Sequence, residues 1–436
     1  MNTNYALPIT GNFRFAPLAA ALALCLSGNA LAATLTVNTA VSSAAPGKCT
    51  LSDAVSAINR GAIGWKIHCA NSGGAFGASD TIVFQKNFAI SFPTPVGNAS
   101  SALLLKKPMT ISGRTSGGRP SITIARSAKS TMQFRLIESR ANLTLNGVTI
   151  SGGSVIGDGG GVNISGGASL QMIDAAVLGN AATGRGGGIF VEDSTLDLDT
   201  SSVSGNTAGI AGGGIYSYAG TATLSDSTVN GNNGGQLGGG LAVGALLSNG
   251  STISGNSADI GGGTYTTMPS WLSNSTVSGN SATVSGGGVY SGGSISLSFS
   301  TISGNSVSLN GTGAGLVLFF DGSSATATII SGNVGGKDVD GLFLSTLAGD
   351  HDIVGTTGGN VHVPTDTLRC NPHLAPLMND GGPTLTQPLM SGSCAIDTGP
   401  AATSLLDDQR GLSRKVGAKT DIGAVERQGS NDPPAS

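Results

Sequence analysis

The chain has 436 residues, a formal net charge of −3 and only 10% charged side chains, while 71 residues are Gly and 39% are hydrophobic. So much glycine suits a linker or a disordered tract, but apolar residues recur at regular intervals and can supply a packed core. No basic patch is present to bind nucleic acid.

Residues 1–32 read as a secretory signal. Arg14 precedes an apolar run from Ala16 to Leu26, and Ala30-Leu31-Ala32 offers a small-x-small cleavage site. The run is too short for a permanent membrane helix, and no later stretch is long and apolar enough to be one. Bulky Leu24 before Cys25 argues against a lipoprotein site. Cleavage removes Arg14 and leaves a net charge of −4. The mature chain is expected to be secreted or at the cell surface, with the periplasm as an alternative.

Four cysteines remain: Cys49, Cys69, Cys370 and Cys394. An even count in an exported chain favours disulfides, and sequence neighbours are the expected partners, although three pairings are open. Neither pair has the close spacing of a zinc site. Between the first two, "TLSDAVSAIN" places Leu51, Ala54, Val55 and Ile58 on one face of a short helix, and Thr50 and Asp53 have capping-box spacing. This helix is expected to plug the open end of a stack. Residues 33–150 read as this cap followed by irregular first coils, with strands at "DTIVF", "ITIA" and "LTLNGVTISGG".

Residues 151–336 repeat. The Asn that closes each S-G-N-like phrase falls at Asn180, Asn206, Asn232, Asn256, Asn280, Asn305 and Asn333, at steps of 26, 26, 24, 24, 25 and 28. A period in the twenties means a solenoid. Three residues before each marker stands a β-branched residue: Val177, Val203, Val229, Ile253, Val277, Ile302, Ile330. A second apolar column runs Met172, Leu198, Leu224, Leu247, Leu272, Leu297. A third follows the glycine triplets: Val162, Ile189, Ile215, Leu241, Thr264, Val289, Leu316. Around them apolar and polar residues alternate, which is a strand period. The fold expected is all-β: a right-handed parallel β-helix, a single solenoid with three short strands per coil. Coils stack at roughly 4.8 Å, so each inward column becomes a ladder of like side chains. Glycines turn corners where φ is positive. The seven Asn residues are expected at another corner, taking the left-handed conformation and pairing amide to amide.

Residues 337–427 read as an end domain, with charges, prolines and His351, His362 and His373, which lack metal-site spacing; residues 428–436 read as a disordered tail. Arg410 is expected to pair with Asp421 or Glu426 and lock that domain. The phrases "NDGGPTLTQPLMSGSCAID", "DDQRG" and "DIGAVE", together with "CTLSDAVSAIN", resemble bacterial exported proteins with a CSLREA-type N-terminal motif and a choice-of-anchor Q-type C-terminal domain. Here Cys49-Thr50-Leu51-Ser52-Asp53-Ala54 lacks that motif's Arg-Glu pair. The glycine triplets and S-G-N phrases also resemble repeats of polymorphic outer membrane proteins. The resemblance implies a right-handed β-helix on or outside the cell and no defined reaction. In such proteins a sorting tail or barrel often follows; "ERQGSNDPPAS" reads as neither.

Chemistry is sparse along the shaft. From Ser151 to Gly336 the basic residues reduce to Arg185, too little for a polyuronate lyase, which needs a base and cations for the substrate carboxylates. Glu192, Asp193, Asp197 and Asp199 are the candidates for calcium or a glycosidase pair, with a solvated acidic edge as the plainer reading. Asp174 and Asp226 share a column two coils apart, roughly 10 Å. Phe190, Tyr216, Tyr265 and Tyr290 form an aromatic column that alternation turns outward. A structural ladder is the plainer reading here too. If the shaft binds a ligand, this face is expected to do so, taking a neutral glycan or a surface protein because the acidic shaft disfavours polyanions. The function expected is adhesion or extracellular interaction without catalysis and without a cofactor, calcium aside. The alternative is a carbohydrate-active enzyme, a polysaccharide lyase or glycoside hydrolase, using outward carboxylates.

Overall fold

A computed structural model describes residues 32–43, 45–113 and 121–429. The signal run and the last seven residues of the tail therefore lie outside the described residues. The chain forms a right-handed parallel β-helix with three faces. The first face follows each glycine triplet, as at Ile189–Val191 and Val289–Ser291. The second follows it, as at Leu196–Asp199 and Ile295–Ser298. The third carries the repeated phrase, as at Ser202–Ser204 and Thr301–Ser303, and forms one continuous ladder of eleven strands. Two long strands, Ile215–Ser225 and Leu241–Asn249, run through the corner between the first two faces and join them into one sheet.

The β-branched column pairs residue on residue from Val177 to Ile330 and is buried throughout. The first-face column from Val162 to Leu316 does the same. The second-face column departs at one residue. Leu224 pairs with Ser248, and Ser248 with Leu272, so Ser248 points inward and Leu247 outward, beside Trp271. Leu247 stands nine residues before its Asn marker where the others stand eight, and one residue of slip turns a strand side chain to the opposite face.

Two polar ladders line the turns flanking the third face. In the first, the Nδ2 and backbone N–H of each Asn donate to the Oδ1 of the Asn one coil on, at 2.9 to 3.1 Å from Asn180 to Asn333. The left-handed residue of this turn is the preceding glycine, such as Gly205 at φ 63°, and not the Asn. The Asn conformation expected from sequence is thus corrected: Gly takes the positive φ, which frees the Asn side chain to point inward and pair. The second ladder starts the repeated phrase. Ser201, Ser227, Ser251, Ser275, Ser300 and Thr328 each accept, at the side-chain oxygen, the backbone N–H of the residue one coil earlier. Both ladders end on a carboxylate. Asp338 accepts from Asn333, and Asp352 accepts the N–H of Thr328.

At the N-terminal end, helix Leu51–Arg60 buries Leu51, Ala54, Val55, Ala57 and Ile58 on the first coils. Thr50 and Asp53 form the reciprocal capping box, and Gly61 closes the helix at φ 71°. Cys49–Cys69 and Cys370–Cys394 are the two disulfides. After Val361–His362 the chain leaves the stack and returns along the third face as a strap without named strands. Thr276 Oγ1 donates to Gln409 Oε1 at 2.6 Å, and Ala424 N–H donates to Thr301 Oγ1 at 3.1 Å. Ile329 and Ile353, on the outside of the third face, join Leu389, Ala395 and Ile422 in a second core.

Arg410 does lock the strap, but with other partners than expected. Its guanidinium lies 2.6 Å from Asp380 and 2.8 Å from Asp408 and is almost fully buried. Glu426 offers it a backbone carbonyl. Asp421 instead accepts the N–H groups of Asp397 and Arg427. Two carboxylates close on Arg410 satisfy its fork geometry better than one distant acid. The "NDGG", "DDQRG" and "DIGAVE" phrases are therefore packing machinery of one buried node.

Candidate functional site

The outward column of the first face runs Glu138, Asn163, Phe190, Tyr216, Ala242, Tyr265, Tyr290, Val317, Asp340. Ala242 divides the aromatics into two pairs. Phe190 and Tyr216 stack with ring centroids 5.5 Å apart and planes 5° off parallel; Tyr265 and Tyr290 stack at 5.1 Å and 14°. The rings face one another along the stack axis, because strand register sets each above the next. A ligand approaching from outside meets edges and hydroxyl tips more than ring faces. Arg185 covers Tyr216 further, 5.2 Å from its centroid. Tyr216 and Tyr290 are only 9% and 8% exposed, and burial raises the hydroxyl pKa of both and of Tyr265.

Sequence windows hid the neighbours of this column. Arg135 and Arg140 precede the repeats, yet their strand pairs with Val162–Ile164 and places them around Glu138, one end of the column. Glu138 is desolvated, but Asn98, Arg135 and Arg140 outweigh that and lower its carboxyl pKa. The signal that would have found them is the strand "RLIES", one coil before the first glycine triplet.

The proposed calcium set does not converge. Glu192 accepts the N–H of Gly166, Asp193 turns the chain at φ 44°, and Asp197 and Asp199 face outward on the second face. Among the described residues no three His, Cys, Asp or Glu side chains gather as metal ligands. Asp174 and Asp226 occupy the same left-handed corner with Thr200 between them. The carboxyl of Asp226 is raised, first by shielding from the surrounding chain and then by Asp199. His351 lies 3.3 Å from Asp350 and shares a shallow cleft with Asp366, Asp397 and Lys419 at the foot of the strap.

The bare aromatic surface lies one corner away from the ladder. Tyr218, Trp271, Phe320 and Phe343 are 55%, 49%, 57% and 58% exposed, on or beside the turn between the first and second faces. Sequence reading passed over them because they break the period that made the ladder visible.

No family model matches the chain, and no curated protein matches it. Among solved structures the chain is similar to the crystal structure of pectate lyase Pel9A, with a TM-score of 0.46 and 12% identity over 80% of this chain and 88% of that one. That likeness lends no residue role to this chain.

Proposed function

We propose that the chain is an exported β-helix that binds a partner outside the cell through the side formed by its first face and the adjoining corner, without catalysis. The observation that carries this reading is the contrast in cover. The strap seals the third face from Thr252 to Ile353, while Tyr218, Trp271, Phe320 and Phe343 stay bare. Exposed aromatics grouped on one side of a rigid scaffold mark a contact surface. The ladder rings Phe190, Tyr216, Tyr265 and Tyr290 stiffen that side from behind and lend it hydroxyl tips. Two disulfides suit an oxidising compartment. Retention of the purified protein on host surfaces, and on arrays of glycans and surface proteins, tests the reading. Joint replacement of Tyr218, Trp271 and Phe320 by Ser should abolish retention while the fold persists; unchanged retention refutes it.

One observation favours a second reading, a glycoside hydrolase. Asp199 pairs with Ser225 across adjacent coils, which sets Asp226 beside it, and two neighbouring outward carboxylates are what such an enzyme uses. Release of reducing sugars from a polysaccharide panel, lost in Asp226→Asn, would support it over binding alone.

A further inference from the structure

Charge is unevenly spread along the stack. Residues 33–150 carry twelve Lys and Arg against three acids, and residues 151–336 carry one against nine. The cations are scattered in sequence and read as no patch there, but the fold gathers four of them at the capped end. Asn59, in the last turn of helix Leu51–Arg60, donates to the carbonyl of Leu104 and accepts the N–H of Lys106, each at 2.8 Å. This clamp ties the helix to Ser101–Leu105, which pairs with Arg135–Ser139 on the first face. Lys106 and Lys107 are thereby set beside the loop that follows the helix. A Cβ on Gly61 would lie 3.0 Å from Lys107 Nζ, and one on Gly64 would lie 3.3 Å from Arg60 Nη1. Lys66 Nζ lies 4.5 Å from the centre of the Trp65 ring. Trp65 is 88% exposed and Ile63 40%, the apolar part of an otherwise cationic loop. The Cys49–Cys69 disulfide closes this segment, so the ring is presented by a braced loop. Between Ala54 and Ile137 the sequence holds a single acid, Asp80, which is fully buried under the N–H groups of Ala33 and Gly77. A cation or two at a helix C-terminus answers its free carbonyls. Lys66, Lys106 and a bare indole go beyond that need.

We propose that this end docks on an anionic lipid surface, with Trp65 and Ile63 seated at the headgroup level and Arg60, Lys66, Lys106 and Lys107 against the phosphates. The proposal shares the export of the reading given above but none of its contact residues. Indole rings favour the boundary between headgroups and acyl chains, and each cation close to a negative membrane adds attraction. The alkyl stems of Lys and Arg let their charges stay among the headgroups while the ring enters. A soluble anionic polymer would engage the cations but offers no apolar phase to Ile63 and Trp65. The acidic shaft is repelled by the same surface, so the molecule stands on its capped end and holds its open side away from the membrane.

Flotation with vesicles of phosphatidylcholine, alone or mixed with phosphatidylglycerol, tests this on the protein recovered after export. Binding should require phosphatidylglycerol and fall steeply as salt is raised. The joint variant Arg60→Gln/Lys66→Gln/Lys107→Gln should bind about a hundredfold more weakly, roughly fivefold for each cation. Arg60→Lys/Lys66→Arg/Lys107→Arg keeps the charges and should bind as wild type, as a folding defect would not allow. Trp65→Ser should weaken binding about tenfold. In Trp271→Phe the remaining indole is Trp65, and its emission should shift to the blue on the anionic vesicles. Equal binding to neutral vesicles, no binding to either, unchanged binding by the triple Gln variant, or an unshifted emission overturns the proposal. Capture by soluble heparin or polygalacturonate as strong as by the anionic vesicles also overturns it, and makes this end a polyanion site. Retention through the open side is read on the Tyr218, Trp271 and Phe320 variant, so the two readings fail separately.

Discussion

The third face and the first face rest on the same stack, yet one is sealed and the other open. Outside the third face the column changes character where the strap begins. Thr228 is half-buried, whereas Thr252, Thr276 and Thr301 are buried with their hydroxyls tied to Leu385, Gln409 and Ala424, and Ile329 and Ile353 follow in an apolar core. Outside the first face the aromatics stack on one another in pairs, Phe190 on Tyr216 and Tyr265 on Tyr290. Outward hydroxyls with distant partners mark a covered face. Outward rings that stack within their own ladder mark one that needs no cover.

The comparison can be broken most severely from inside. Val229→Asp places an unpaired carboxylate in the column behind the third face and should cost more than about 4 kcal/mol, collapsing both faces together. Thermal unfolding like wild type would mean the column is not shared. Next, Arg410→Met removes the buried counter-charge that Asp380 and Asp408 share in the strap, a loss of roughly 3–5 kcal/mol. Hydrogen exchange should then rise across residues 380–427 while shaft amides stay protected. Exchange rising equally in the shaft would show that the two faces are not separable.

Acidity sharpens the contrast more gently. Burial, above all, pushes the carboxyl of Glu426 in the strap up to about 7, and that of Asp352 at the end of the serine ladder also to about 7. Both folded values exceed the unfolded ones, so folding takes up protons. This contribution is fully favourable below about pH 4 and is lost as pH rises to about 7, by at most about 3 kcal/mol for Glu426 and about 4 kcal/mol for Asp352. Stability measured between pH 4 and 8 should fall across that window, and Glu426→Gln with Asp352→Asn should flatten the fall. An unaltered slope in the double variant would place the titration elsewhere. The smallest effect lies in the core behind the open side. Thr264 and Thr266 bury hydroxyls without hydrogen-bond partners. Thr264→Val and Thr266→Val should each raise stability by about 1 kcal/mol. A loss in chemical denaturation would show that those hydroxyls are satisfied in solution.

What the sequence made legible was periodic. Val177 through Ile330, the Asn ladder and the capping helix follow from spacing within a repeat or a short segment, and the disulfides join the neighbouring cysteines that were expected among three open pairings. The serine that opens each phrase was equally regular, but its role emerges only when its oxygen is seen to meet an N–H one coil away. Leu247 misled because Ser248 holds the inward place eight residues before Asn256, and an apolar residue stood next to it. The strap was opaque for another reason. Gln409 meets Thr276 across 133 residues, and Arg410 finds Asp380 rather than the acids that follow it, so no local pattern could announce either contact. The bare aromatics were missed because Tyr218 and Phe320 lie in the corner outside the repeat columns, and Trp271 is the lone aromatic in an outward column that otherwise runs Thr223, Leu247, Ser296 and Ser324.

The two ladders run in one direction, each coil donating to the next, and the run of like side chains stops in each at an aspartate, although Asp338 hands its own N–H on to Thr356 Oγ1. Coils that keep both ladders unbroken are therefore added by insertion upstream of these aspartates. The strap restricts insertion further, since Thr252, Thr276 and Thr301 must keep their spacing to meet residues 384–424. It works as a ruler laid along the later coils, and duplication of a whole coil is left free only upstream of Gly250. Two chains of this design that differ in length should differ there.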